Sequence, residues 1–299
     1  MIYIDDHSAQ TDLNIAWPKL SAQRREYLQH FRRESDRRAG AAAYLLLCRG
    51  LREEYGILEK PIFDFGPQGK PELRMENGRW KMDNGQWTMD DGQWTMDNEE
   101  RRMENGLLSS KGHLMPQEWT ARLEETLDTS RMNNEPLDNE MTCPSLGPNI
   151  HFNLSHCDEA AACVIDNQPV GIDVETISAY DPQLLPLTMN LSEQQAITKS
   201  DYPERVFACL WTMKEAMLKC LGTGLSDDLP NLLIDLQKED YTSLCEACDK
   251  SLIIKRNFTV IPFKNEDITA FQFHHPRFHF LTAISADLRF VFTACRSKG

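Results

Sequence analysis

The sequence predicts an α/β fold of the α+β type with mainly antiparallel sheets. Two long segments, 21–55 and 207–221, carry apolar residues at helical spacing. Beyond residue 225, alternating apolar stretches at 252–261, 278–284 and 290–294 are typical of antiparallel strands. We expect these strands to form the sheet on which the second helix packs. With 299 residues, the chain is long enough for two modest domains.

The N-terminal region begins with a predicted strand at 2–4, followed by the 21–55 helix with an apolar centre at 39–47. Basic residues crowd the start of this helix: Arg24, Arg25, Arg32, Arg33, Arg37 and Arg38. Such a run usually forms a solvated face. In an acidic chain, a bound phosphate is a second possible counter-charge, so both interpretations stay open.

A short strand at 62–65 leads into a loop at 66–71 that is rich in glycine and proline. These residues fix a turn and let the backbone approach a ligand closely, while Lys70 supplies a positive charge. By itself the loop is also an ordinary turn.

Residues 75–148 interrupt this pattern with a repeat of seven residues in which a glycine recurs at the fourth position. Glycine is unfavourable inside a helix, so the period does not indicate a coiled coil. The segment contains no Val, Ile, Phe or Tyr and has 15 acidic against 7 basic residues, a net charge of −8. We predict a mostly disordered insertion, with a possible short helix at 117–127. The alternative is a binding arm that uses Trp80, Trp87 and Trp94.

Strand patterns return at 151–154 and 160–165, and the first of them leads to Ser155 and His156. Neighbouring strand residues point apart, so this pair is not a hydrolase dyad. Both side chains can nevertheless donate to a phosphate, although a lone histidine is more often structural.

The segment 171–222 carries the strongest chemical signal. A predicted strand places Asp173 and Glu175 on one face, and the helix that ends at Gly222 places Glu215 and Lys219 on one stripe. Three carboxylates and an ammonium suit Mg²⁺ bound together with a substrate phosphate. The alternative is a solvated strand edge and a charged helix surface.

The composition argues against several classes of partner and site. The net charge of −14 argues against a nucleic-acid partner. The nine cysteines lack the spacing of a disulfide framework, and Cys245 and Cys248 form a lone CxxC, a weak zinc signal. No secretory signal or run of about 20 apolar residues is evident, so we expect a cytoplasmic protein without a membrane partner.

Four motifs occur in one order: Gly69-Lys70-Pro71-Glu72-Leu73, Phe152-Asn153-Leu154-Ser155-His156, Gly171-Ile172-Asp173-Val174-Glu175, and Trp211-Thr212-Met213-Lys214-Glu215-Ala216-Met217-Leu218-Lys219. In this order they resemble the Sfp-type 4'-phosphopantetheinyl transferases of the holo-[acyl-carrier-protein] synthase superfamily. The resemblance covers 1–74 and 149–225 well, and 226–299 only in general pattern.

The resemblance implies a pseudo-dimer of two similar α/β halves, with coenzyme A in the cleft between them. The division falls near residue 172, which gives an N-terminal half at 1–172, interrupted at 75–148, and a C-terminal half at 173–299 that carries the metal site. Such a chain could complete its own cleft as a monomer. The family normally has a short link between the first two motifs, so the insertion is a departure.

The implied reaction is Mg²⁺-dependent transfer of 4'-phosphopantetheine from coenzyme A to a serine of an apo acyl or peptidyl carrier protein, with release of 3',5'-ADP. The implied metal ligands are Asp173, Glu175 and Glu215. Glu215 is the candidate base, and Lys219 neutralises charge on the phosphate oxygens. The implied coenzyme A contacts are Lys70, Ser155, His156, Lys219, Arg24 and Arg38.

Two alternatives come from other classes. One is a catalytically impaired relative that still binds coenzyme A. The other is a different Mg²⁺-dependent phosphate enzyme, such as a nucleotide hydrolase, although the chain has no Walker-type loop. Nothing in the sequence indicates which carrier protein is modified.

Overall fold

A computed structural model describes residues 1–66, 69–76, 79–80, 82–83, 86–90, 93–97, 150–224, 229–232, 234, 243–244, 259–261 and 275–298. The chain divides into two compact units, one formed by 1–84 with 148–299 and the other by 85–147. Among the described residues, no helix has both the length and the apolar content needed to cross a membrane.

The described α-helices are α1 (Leu13–Ala16), α2 (Ala22–Gln29), α3 (Glu34–Tyr55), α4 (Leu185–Thr188), α5 (Leu191–Lys199) and α6 (Pro203–Leu221). Short 3-10 helices lie at Ser8–Gln10, Trp17–Lys19, Pro182–Leu184 and Leu229–Asn231. The described strands are β1 (Ile2–Asp5), β2 (Lys60–Pro61), β3 (Phe63–Phe65), β4 (Pro71–Leu73), β5 (Met75–Glu76), β6 (Arg79–Trp80), β7 (Met82–Asp83), β8 (Gln86–Asp90), β9 (Gln93–Asp97), β10 (His151–His156), β11 (Ala161–Asp166), β12 (Val170–Thr176), β13 (Thr259–Ile261), β14 (Phe278–Ile284) and β15 (Phe290–Ser297).

Two antiparallel sheets form the larger unit. The first sheet has the strand order β10-β11-β1-β13, and the second has the order β12-β15-β14. The prediction of mixed helix and strand with antiparallel sheets is therefore confirmed. Short two-stranded pairs, β2 with β7, β3 with β4 and β5 with β6, accompany the sheets.

The two sheets share an apolar core. Side chains of one face of each sheet meet in it, among them Ile2, Val164, Ile172 and Phe292. Strand side chains alternate between faces, so the neighbours of these residues point to the opposite side of each sheet. There α3 packs on the first sheet and α6 on the second, which gives the layer order helix, sheet, sheet, helix.

The predicted 21–55 helix is two helices. α2 ends at Gln29, and α3 begins after Arg33, which is extended at φ −86° and ψ 139°. The break lets the Phe31 ring pack edge-to-face on Tyr27 and on His156, at centroid distances of 5.4 and 6.0 Å. Packing of one aromatic side chain thus overrides the helical pattern.

One strand assignment was wrong. We expected all three C-terminal strands beneath the second helix, and β14 and β15 do lie there, but Thr259–Ile261 pairs with β1 in the first sheet. Residues 252–258 of that prediction lie outside the described residues. The predicted boundary near 172 falls inside β12.

In the smaller unit, β8 and β9 form an antiparallel hairpin in which Gln86 pairs with Asp97 and Asp90 with Gln93. Residues 75–97 therefore contain short paired strands in the segment that we predicted to be disordered. The remainder of that prediction, including the helix at 117–127, lies outside the described residues.

Candidate active site

Side chains of β10, in the first sheet, are hydrogen-bonded to the backbone of β12, in the second sheet. The Asn153 Oδ1 atom accepts a hydrogen bond from the Ile172 amide at 3.0 Å, and the Ser155 Oγ atom accepts one from the Val174 amide at 3.4 Å. β10 and β12 thus lie side by side without a backbone ladder between them. We call these four residues the inter-sheet contact, and it holds β12 where its carboxylates can face α6.

Asp173 is the buried centre of the site, with 3% of its surface exposed. Its Oδ1 atom accepts hydrogen bonds from Ser155 Oγ at 2.9 Å and from Lys219 Nζ at 2.6 Å. Its Oδ2 atom is buried and has no hydrogen-bond partner among the described residues. An unpartnered buried carboxylate oxygen is costly, and a cation would satisfy it.

α6 lies unusually close to β12 because residue 171 is glycine. A Cβ atom on Gly171 would lie 2.1 Å from the Ala216 carbonyl oxygen and 2.4 Å from the Cys220 amide nitrogen. On the same side, the hydroxyl groups of Thr212 and Thr293 are hydrogen-bonded at 2.8 Å. This close approach brings the stripe that contains Glu215 and Lys219 to Asp173.

The charge of Asp173 affects the ionisation of the two predicted glutamate ligands. Burial, followed by the charge of Asp173, raises the pKa of Glu175 from 4.5 to about 7. The same two causes raise the pKa of Glu215 above its ordinary value, while Lys219 opposes the increase. Trp211 hydrogen-bonds to Glu175 and favours its charged form. The three carboxylates are therefore close enough to repel each other in a poorly solvated place.

These residues fit a hard divalent cation. Asp173 Oδ2 and Glu215 Oε1 are buried oxygens without hydrogen-bond partners in the described part of the chain, and they are of the ligand type that Mg²⁺ prefers. The three carboxylates are not drawn together as a closed cluster, however. Among the described residues, the acidic or histidine groups whose ligand atoms all lie within 4.8 Å are Asp5, Asp6 and His7, which are only partly buried.

A cavity of about 270 Å³ opens beside the carboxylates. It is lined by Gly69, Lys70, Pro71, Asn153, Leu154, Glu215, Leu218, Lys219, Gly222 and Gly224. Two of these residues, Lys70 and Lys219, are cations, and Glu215 is an anion. The wall therefore combines groups that attract a phosphate with a group that attracts a metal.

Lys70 reaches this cavity from the loop after β3. Its Nζ atom donates to the carbonyl oxygens of Cys220 at 3.1 Å and of Val170 at 3.3 Å. It thus satisfies a carbonyl at the C-terminal end of α6, where a cation is favourable. Burial lowers the pKa of Lys70. Gly69, before it, has φ 78°, in the left-handed region that favours glycine.

Arg24 and His156 come together beside α3. The Arg24 Nη2 atom donates to the Gly40 carbonyl oxygen at 2.8 Å, and a Cβ atom on Gly40 would lie 3.9 Å from His156 Nε2. Burial, followed by the charge of Arg24, lowers the pKa of His156. Within the described part of the chain, the Arg24 Nε atom is buried without a hydrogen-bond partner, and the residue forms no ion pair. The guanidinium also lies over the rings of Tyr27 and Tyr44, at 5.0 and 5.9 Å from their centroids, and no carboxylate among the described residues neutralises its charge.

Arg38 is placed differently. Its Nε atom donates to Glu34 at 3.0 Å, and its Nη1 atom to the Thr11 carbonyl oxygen at 3.4 Å. Because a carboxylate of its own helix already neutralises it, Arg38 is a weaker candidate for a phosphate contact than Arg24.

Sequence reasoning missed two structural roles. Asn153 was part of a motif, but its function as an acceptor for the β12 backbone was not predicted. Its position two residues before Ser155, on the same face of a strand, was the available signal.

Lys214 was not predicted to contact the metal or the phosphate, because it lies 100° around the helix from Glu215. It is fully buried and forms an ion pair with Glu193.

Residues 169–274 match the sequence model of the 4'-phosphopantetheinyl transferase superfamily. The chain is 36% identical over 99 residues to 4'-phosphopantetheinyl transferase gsp from Aneurinibacillus migulanus, a match that covers 32% of this chain and 42% of that protein. It is 31% identical over 99 residues to 4'-phosphopantetheinyl transferase Sfp from Bacillus subtilis (strain 168), which covers 32% and 44% respectively.

A third relative, 4'-phosphopantetheinyl transferase psf-1 from Bacillus pumilus, is 28% identical over 134 residues, covering 44% of this chain and 55% of that protein. This chain therefore spans about half the length of the curated relatives it matches. The matched region contains β12 and α6, which carry the three carboxylates and Lys219. The match at residues 169–274 supports the family that the four motifs predicted, and two of those motifs, at 171–175 and 211–219, lie inside it.

Proposed function

We propose that this protein transfers the 4'-phosphopantetheine group of coenzyme A to a serine hydroxyl of an apo acyl or peptidyl carrier protein and releases 3',5'-ADP. One observation carries the proposal. Glu215 lines a cavity that also has Lys70 and Lys219 in its wall, and Asp173 is bonded to Lys219. Each of the two carboxylates has a buried oxygen without a hydrogen-bond partner among the described residues. A diphosphate together with a divalent cation would satisfy both sets of charges.

Asp173, Glu175 and Glu215 would hold Mg²⁺, whose chemistry is to neutralise charge on the diphosphate oxygens. Asp173 offers its Oδ2 atom, because Oδ1 is already bound by Ser155 and Lys219. Trp211 orients Glu175 through the hydrogen bond between their side chains. Ser155 therefore acts on the site by orienting Asp173, in addition to any contact with phosphate.

In the transfer step, the serine oxygen of the carrier forms a bond to the phosphorus that bears pantetheine. The bond from that phosphorus to the 3',5'-ADP oxygen breaks. Glu215, which lines the cavity, accepts the serine proton. Lys219 donates to a phosphate oxygen as charge develops, and Lys70, which also lines the cavity, supplies a second positive charge. Phosphoryl transfer demands mainly positioning and neutralisation of charge, which is what these residues provide.

Arg24 and His156 would contact the phosphate on the ribose of coenzyme A. Their proximity at Gly40, and the absence of an ion pair at Arg24 among the described residues, support this assignment. The first sheet carries α3 and the second carries α6, so each antiparallel sheet has one long helix, and the inter-sheet contact joins the two sheets. This layout supports a cleft completed within one chain.

The test is to incubate the protein with coenzyme A, Mg²⁺ and a panel of apo carrier proteins, and to measure carrier mass. We expect a gain of one phosphopantetheine group. Asp173→Asn and Glu215→Gln should abolish the gain and leave the fold intact, because both substitutions keep side-chain shape. Glu204→Gln, near the start of α6 and away from the cavity, is the matched control.

Two other outcomes would identify the alternatives. Coenzyme A binding without labelling of any carrier would indicate a catalytically impaired relative. Release of phosphate from a nucleotide in the absence of a carrier would indicate a different phosphate enzyme.

A further inference from the structure

Lys214 is buried, and its ammonium group is bonded to three neighbouring segments of the chain. No part of its side chain is exposed, and it lies on α6 directly before Glu215. Its Nζ atom contacts Glu193 Oε2 at 2.8 Å, the Thr188 carbonyl oxygen at 2.9 Å and the Leu229 carbonyl oxygen at 2.8 Å. An ammonium group has three donors, so all of them are used, each in a different direction.

The acceptors belong to three separate backbone segments beside α6. Thr188 ends α4, and Glu193 lies in the first turn of α5. Glu193 is itself held in place, because its Oε2 atom accepts from the Asn190 amide at 2.8 Å in a capping box. Leu229 begins a 3-10 helix at Leu229–Asn231. Lys214 therefore connects α6 to elements on the side away from the second sheet.

The opposite side of α6 is fixed by the second sheet. Gly171 leaves no room for α6 to move closer, and Thr212 is hydrogen-bonded to Thr293. Contacts on one side alone would still let the helix turn about its axis. With Lys214 bonded on the other side, rotation would break bonds at both surfaces.

Such a rotation would matter for Glu215. A helix has a Cα radius of about 2.3 Å and a glutamate carboxylate lies several ångströms further out, so a turn of about 20° would displace it by roughly 2 Å. Metal ligands tolerate only about 0.2 Å, and an error of about 1 Å in a catalytic group can cost a hundredfold in rate.

We propose that Lys214 is a positioning residue: its three buried bonds fix the rotation of α6 and so place Glu215 beside Asp173. This inference rests on the metal site of the proposed function. Overall stability is a poor explanation for the pair, because apolar replacement of a buried ion pair is often neutral or stabilising.

The test measures binding of Mn²⁺ alone by electron paramagnetic resonance, together with kcat and KM for transfer. Lys214→Met removes the three bonds but leaves Glu193 buried without its cation, and it is expected to destabilise the protein. The double variant Lys214→Met with Glu193→Gln removes both charges and keeps the acceptor for the Asn190 amide. Val206→Ala, a buried truncation in the N-terminal part of α6, is the control for stability.

We expect the double variant to melt close to the wild-type temperature, yet to bind Mn²⁺ at least tenfold more weakly and to lose kcat with little change in KM for coenzyme A. Val206→Ala should lose stability and keep the wild-type Mn²⁺ affinity. If the double variant instead recovers wild-type Mn²⁺ affinity and kcat, the positioning role is wrong.

The outcomes also separate this inference from the proposed function. A wild-type protein that binds Mn²⁺ but labels no carrier contradicts the proposed function, and the Mn²⁺ affinities of the double variant and Val206→Ala still decide the role of Lys214. A wild-type protein that binds no Mn²⁺ overturns both.

Discussion

Gly171→Ala is the most informative single change, because it tests how closely α6 must approach β12. The added Cβ atom would lie 2.1 Å from the Ala216 carbonyl oxygen, 2.4 Å from the Cys220 amide nitrogen and 2.9 Å from the Lys219 carbonyl carbon. All three are backbone atoms of α6, so no side-chain rotation can relieve the contact. The helix itself must move.

The size of that movement follows from contact distances. An ordinary contact begins near 3.4 Å, so the Ala216 carbonyl must retreat by about 1.3 Å. Overpacking of this kind typically costs about 1–3 kcal/mol. Glu215 and Lys219 flank the displaced carbonyl, so both would move from Asp173 by a similar distance. We expect transfer to fall by about a hundredfold, as for a catalytic group misplaced by about 1 Å.

Gly50→Ala provides the matched control. Its Cβ atom would lie 2.3 Å from Ile165 Cδ1 and 2.7 Å from Tyr3 Cε2, between α3 and the first sheet. It should therefore lose stability in urea denaturation and keep most of its transfer rate. If Gly171→Ala loses no more activity than Gly50→Ala, at comparable stability, the close packing of α6 does not set the geometry of the site.

Three further predictions test other parts of the site. Arg24→Gln should raise KM for coenzyme A but not for dephospho-coenzyme A, whereas Arg38→Gln should change neither; equal effects of both variants in steady-state assays would contradict the placement of Arg24. Since the pKa of Glu175 is raised from 4.5 to about 7, the folded state binds the extra proton, and the stability of the metal-free protein should fall as pH rises through that window. Glu175→Gln should reduce this fall, and Glu215, whose pKa is also raised, accounts for a remaining part. Urea midpoints in a chelating buffer between about pH 5 and pH 8 would measure it, and an unchanged slope would show that Glu175 does not contribute. Mg²⁺ should raise the melting temperature of the wild type and not of Asp173→Asn, since only binding to the native state stabilises it, and equal shifts would place the ion elsewhere.

Part of the site could be predicted from local sequence. The period of two in 171–175 places Asp173 and Glu175 on one face of β12, and the helical spacing of Glu215 and Lys219 places both on one stripe of α6. Gly222 ends α6 in the left-handed conformation, at φ 72°, as its type suggests. These features depend only on residues a few positions apart.

Other features depend on residues that are distant in sequence. Lys219 bonds to Asp173, 46 positions away, and Lys70 to the Cys220 carbonyl, 150 positions away. The sequence indicated Arg24 and Arg38 as equal candidates for the phosphate contact. The fold favours Arg24, because Arg38 is paired with Glu34. The break before α3 likewise follows from packing of Phe31 on a strand residue.

The sequence by itself indicated the family resemblance, the type of each main helix and strand, and the set of acidic and basic groups available for chemistry. The tertiary structure alone decided which of those groups meet, because burial and repulsion act between elements that the chain order leaves far apart. It joined β10 to β12 through Asn153 and Ser155, and it enclosed Lys214 with Glu193. A buried charge must find its partner in space, and no local pattern specifies that partner.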